Sequence, residues 1–126
     1  MNNNELKFPE YFPPNCPPKD AVQCEIEVYR LCENPVCAED FLSHYQKNPQ
    51  LYKSIDIAYG LSVCTVPDDC LKLKKYPALK NKKIARGITY IYTGVIKQTN
   101  GSTKSHYTWW LFESVEPHTY FRLVEA

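Results

Sequence analysis

Alternation is clearest between positions 21 and 32. There Cys24, Ile26, Val28, Arg30 and Cys32 fall on one side of an extended chain, and Glu25, Glu27, Tyr29 and Leu31 on the other. Successive side chains of a strand point to opposite faces, so this period of two predicts a strand. Asn34-Pro35 ends it, because proline restricts the residue before it. Positions 38–47 read as a short helix, with Glu39 and Asp40 at its positive end and Phe41, Leu42 and Tyr45 for packing, stopped by Asn48-Pro49. Residues 60–65 predict a second strand. Thr65 is then expected to cap a second helix with Pro67 and Asp68 in its first turn, ending near Tyr76 before Pro77. Residues 82–92 and 94–99 predict two strands with Gly94 between them or at a bulge. Asn100-Gly101 marks a turn, residues 105–112 a further strand, and residues 119–124 a last edge strand. The order is strand, helix, strand, helix, then strands joined by short connections. It predicts an α+β fold, a mixed or antiparallel sheet carrying two short helices.

Residues 1–20 break the pattern. Phe8-Pro9, Phe12-Pro13-Pro14 and Pro17-Pro18 predict an extended leader, since proline fixes φ and lacks an amide donor. Phe8, Tyr11 and Phe12 are expected to anchor it on one α+β domain spanning residues 21–126, or to offer it to a protein partner. A chain of 126 residues is the size of a single domain with a real core. The net charge of +1 supplies no overall field for a polyanion, which argues against nucleic acid as a partner. A local basic patch stays open. Lys72, Lys74, Lys75, Lys80, Lys82 and Lys83 form a basic run that is more often a solvated face than a strand-binding surface.

No apolar run reaches the roughly 18 residues of a membrane span, and the opening Met-Asn-Asn-Asn-Glu-Leu-Lys lacks the basic start and apolar stretch of a signal peptide. A cytoplasmic location and no membrane association are therefore expected. The six cysteines should then be reduced. They contain no C-x-x-C pair, so no metal site is expected, and Cys24 sharing a face with Ile26 and Val28 reads as a small hydrophobe.

Candidate chemistry rests on polar residues in places a core would not choose. Arg30 shares a face with Cys24, Ile26 and Val28, and an unpaired guanidinium is too costly to bury. It must meet a carboxylate, a group of carbonyls or a ligand anion, and its planar fork suits phosphate. The blander reading has it reaching solvent at a strand end or bridging to Glu33. Ser62 faces away from Leu61 and Val63, where a hydroxyl can bond a ribose, a phosphate or simply the backbone. His106, Thr108 and Trp110 alternate with Tyr107 and Trp109. His106 is the candidate acid/base, and Trp109 or Trp110 the candidate for stacking a ring, against the alternative of plain core tryptophans. His44 reads as a surface or packing residue. No Gly-rich phosphate loop, no H-E-x-x-H and no recognisable serine–histidine–acid spacing occurs, so hydrolase chemistry has no motif behind it.

Phe12-Pro13-Pro14, Val28-Tyr29-Arg30-Leu31, Gly60-Leu61-Ser62-Val63 and Ser105-His106-Tyr107-Thr108-Trp109-Trp110 resemble segments of a bacterial protein group to which no activity is assigned. In architecture the chain is also similar to ADP-ribosyltransferases, which carry arginine on a first strand and serine on a second strand before a helix. The resemblance implies that Arg30 and Ser62 hold NAD or a related nucleotide. The late glutamate of that family is not matched, because the corresponding strand opens with His106 and Glu113 lies at its far end. A nucleotide- or NAD-related domain is therefore expected, with nucleotide binding without transfer as one form of it. The rival expectation is a non-catalytic interaction module, accessory to a bacterial defence or mobile-element system and working through the leader.

Overall fold

A computed structural model describes residues 6–101 and 103–124. Residues 1–5 of the leader and 125–126 lie outside it. Six strands form one antiparallel sheet: β1 (Ile26–Cys32), β2 (Leu61–Cys64), β3 (Lys83–Thr89), β4 (Gly94–Gln98), β5 (His106–Leu111) and β6 (Arg122–Leu123). Their spatial order is β4-β5-β2-β1-β3-β6. The α+β class, the antiparallel sheet and the edge position of the last strand follow the alternation and the short late connections.

One face of the sheet carries the main core. Val28, Cys32, Leu61, Val63, Ala85, Ile96 and Trp109 close against Phe41 and Phe121. On the other face Leu31, Cys64, Cys70 and Ile84 pack with Tyr29, Leu73 and Leu79. Strand β5 is covered on both sides, so Trp109 and Trp110 are each 0% exposed. Gly94, at φ +153, lies against the backbone of Trp110 and Leu111, where any side chain would collide.

The helices are more broken than the periodicity suggests. Positions 38–47 divide into a 3₁₀ turn over Ala38–Phe41 and a short helix α1 (His44–Lys47). The division falls at Ser43, whose hydroxyl accepts from the Gln46 amide (3.2 Å) while the Gln46 side chain accepts from the Ser43 amide (2.8 Å). This capping box starts a new helix where a continuous one was expected. Asn48-Pro49 stops α1 and at once starts α2 (Pro49–Tyr52), with Asn48 as its cap. Helix α3 (Pro67–Lys72) continues as a 3₁₀ turn over Leu73–Lys75. Its expected cap, Thr65, is not the cap: the Val66 amide instead donates to the Ser105 hydroxyl (3.3 Å), supplied from across the sheet.

The described part of the N-terminal segment packs through its aromatic side chains on later parts of the chain. Tyr11 stacks on Tyr45 and Tyr59, Phe12 meets Tyr59 edge-on, and Phe8 lies tilted against Phe112. All six cysteines are free. Among the described residues no helix is long and apolar enough to cross a membrane.

Candidate functional site

Strands β1 and β2 are neighbours, yet their register holds at a single pair, Tyr29 with Cys64. Beyond it β1 stays paired with β3 as far as Cys32, and β2 stays paired with β5 through Leu61. The two strands therefore splay apart, and backbone groups at the fork lack their ladder partners. Arg30 fills this gap. Its Nε donates to the Asp40 carbonyl (2.8 Å) and its Nη1 to the Ser62 carbonyl (2.6 Å). The guanidinium also lies 5.7 Å from the Phe41 ring centroid.

The fork opens into a cavity of about 310 Å³. Leu31, Leu42, Leu61, Leu73 and Leu79 supply apolar walls, and Tyr29 and Tyr76 supply aromatic ones. Arg30, His44, Lys47 and Lys82 bring basic groups from β1, α1 and the chain after α3, while Ser62 and His106 enter from β2 and β5. Asp40 is the acidic residue of the lining, and its carboxylate is already engaged. It accepts from the amides of Glu33 (3.1 Å to each oxygen) and Cys37 (2.9 Å), with Lys82 Nζ at 3.6 Å. Lys82 also reaches Glu33 at 3.3 Å. Among the described residues no carboxylate pairs with Arg30 or Lys47.

The cations strain against one another. Burial lowers the pKa of Arg30, opposed chiefly by Cys32 and Asp40. Lys47 is lowered by burial and then by Arg30 and Lys82. His44 is held below its ordinary 6.5 by burial, Lys47 and Arg30. Arg30 is half-buried while His44 and Lys47 are exposed, so solvent screens the repulsion among them, and all three shifts run in the direction that disfavours positive charge. A bound anion would relieve all three.

Ser62 and His106 meet directly. The Ser62 hydroxyl lies 3.0 Å from His106 Nε2. On the other side of the ring, Nδ1 lies 2.9 Å from the Thr99 hydroxyl and 3.3 Å from the Thr99 carbonyl, and the Thr99 hydroxyl is 2.7 Å from that of Thr108.

Of the residues singled out in the sequence, Arg30, Ser62 and His106 share this cavity, whereas Trp109 and Trp110 do not. Trp110 is closed off with its Nε1 donating to the Asp56 carbonyl (3.1 Å), and Trp109 lies in the main core. Neither presents a ring face to the cavity, which corrects their assignment as stacking residues. The middle of β5 is covered on both faces, so Thr108, Trp109 and Trp110 are all buried and alternation there does not separate inside from outside. Glu113 is also elsewhere, paired with Lys7 at 3.3 Å. Lys47, Lys82 and the structural acid Asp40 carry no signal in the sequence as site residues, and His44, expected as a surface or packing residue, is exposed and lines the cavity. Lys82 belonged to a lysine run whose other members do not line the cavity. Among the described residues no group of three or more His, Cys, Asp or Glu side chains is placed to hold a metal ion.

No family model, no curated protein and no solved structure matches the chain.

Proposed function

We propose that the domain binds a small phosphorylated ligand of the nucleotide class, NAD among the candidates, in the cavity between β1 and β2. The observation that carries this reading is Arg30, a guanidinium held by two carbonyls and in ion-pair contact with no carboxylate among the described residues, beside Lys47, Lys82 and His44. Phosphate oxygens match that arrangement, because Arg and Lys make charge-assisted hydrogen bonds to them at short range. The apolar walls and the half-exposed Tyr76 suit a base or sugar ring next to the charge. Arg30 and Ser62 keep the order found in ADP-ribosyltransferases, but Glu113 pairs with Lys7 and does not line their cavity, which favours nucleotide binding over ADP-ribosyl transfer. The reading as an interaction module has less behind it, because Phe8, Tyr11 and Phe12 are already packed against Phe112, Tyr45 and Tyr59 of the domain itself.

Titration calorimetry with pyrophosphate, ADP and NAD tests the proposal. Wild type should release or absorb heat with at least one of them, and Arg30→Met should abolish the signal while keeping a cooperative melt. No heat from wild type with any of the three overturns it.

A further inference from the structure

We infer that Ser62 and His106 form a nucleophile–base pair that removes a phosphoryl group from a phosphoanhydride bound in the same cavity. The inference rests on the phosphate-binding reading and adds a reaction to it.

The hydrogen bonds around His106 have a direction. The Thr99 carbonyl can only accept, and it lies 3.3 Å from Nδ1. Assigning the proton to Nδ1 satisfies that carbonyl and lets the same N–H be shared with the Thr99 hydroxyl at 2.9 Å. That hydroxyl passes its own hydrogen to Thr108 at 2.7 Å. With Nδ1 protonated, the Nε2 lone pair points at the Ser62 hydroxyl 3.0 Å away. This is the arrangement that activates a serine: a base within hydrogen-bond reach, itself oriented from behind. Gly101 completes the setting, since a Cβ there would fall 2.5 Å from the imidazole, so only glycine lets the loop lie flat on the ring. Ser62 is exposed to the cavity, and the Arg30 guanidinium grips its carbonyl at 2.6 Å. Arg30 thus stands beside Ser62, and Lys47 lines the same cavity, as cations for the charge on a transferring phosphoryl group.

The reaction has two steps. Ser62 Oγ attacks the terminal phosphorus of the anhydride. The Oγ–P bond forms, the bond from phosphorus to the bridging oxygen breaks, and the electron pair leaves with that oxygen. The serine proton passes to His106 Nε2 and on to the leaving phosphate. Water then attacks the phosphoserine with His106 taking its proton, the Oγ–P bond breaks, and Ser62 Oγ recovers a proton from His106. The net change is hydrolysis of the anhydride to orthophosphate and the shortened phosphate.

A fluorophosphonate, a phosphorus electrophile that loses fluoride to an activated serine, tests the pair on the full chain by intact mass and peptide mapping. A single adduct on Ser62 is expected, slowed by pyrophosphate, absent in Ser62→Ala and about 100-fold slower in His106→Gln. Thr99→Val should slow labelling and Thr99→Ser restore it, which separates orientation of the ring from a general loss of structure. Wild type that binds pyrophosphate in the calorimeter yet takes no label overturns the pair and leaves the binding reading intact. Label on Ser62 without pyrophosphate binding overturns the phosphoanhydride as substrate. Absence of label together with no heat from pyrophosphate, ADP or NAD removes both readings.

Discussion

Two regions of this sheet hold polar groups among apolar neighbours, and they resolve the problem in opposite ways. Around Trp109 the surroundings close. Trp109 is wholly buried beside Phe121 and Leu61, and its Nε1 has no hydrogen-bond partner among the described residues. An unpaired donor there costs about 1–3 kcal/mol, which the burial of a large ring offsets. Around Arg30 the surroundings open. The strands part, carbonyls supply two acceptors, and the remaining donors face a cavity shared with further cations. The first region shows how dense packing tolerates one lost hydrogen bond. The second shows a half-buried ion held where strands part, with unladdered carbonyls as its acceptors and the cavity at its open side.

Substitutions that affect one region and spare the other would sharpen this contrast. Trp109→Ala should have the largest effect, lowering the unfolding free energy in urea by about 3–5 kcal/mol. A change below about 1 kcal/mol would mean that the core collapses around the loss. Arg30→Met should do the reverse. Affinity for pyrophosphate should fall about 100-fold by calorimetry, while stability shifts by no more than about 1–2 kcal/mol. Lys47→Gln is expected to weaken binding about tenfold and to leave the midpoint in urea unchanged or slightly raised, because it relieves repulsion with Arg30 and Lys82. A lowered midpoint would show that Lys47 is structural.

The smallest effect is set by pH. His44 has a folded pKa below 6.5, so the folded protein takes up fewer protons than the unfolded chain, and stability falls as pH drops through that interval. Binding of an anion favours the charged imidazole, so affinity should rise over the same fall in pH. Inorganic sulfate, whose own charge stays constant there, should bind a few-fold more tightly at the acid end, and His44→Gln should flatten the dependence. Weaker sulfate binding in acid would place His44 outside the field of the bound anion.

What was legible followed from local rules. The period of two marked β1 and with it the misplaced charge of Arg30, and Ser62 was visible as the polar residue between Leu61 and Val63. The breaks in the first helix were less visible, because Ser43 and Gln46 form a capping box in the middle of an otherwise helical stretch. Lys47 and Lys82 could not be read as partners of Arg30, since long-range folding of α1 and of the chain after α3 brings them together. Trp109 and Trp110 misled for another reason. Aromatic residues are equally at home stacking a ligand and filling a core, and only the cover on both sides of β5 decides between the two.

The tyrosine stack beneath the leader has a practical consequence for dissecting this molecule. Tyr11 rests on Tyr45, which belongs to the same short helix as His44 and Lys47. A four-residue helix has little stability of its own and depends on what it leans against. A boundary drawn at residue 20 would therefore cut the brace from the wall that carries two of the basic groups. Trimming the N-terminal segment would report on anion affinity as much as on any role of that segment, so point changes at Tyr11 are the cleaner instrument.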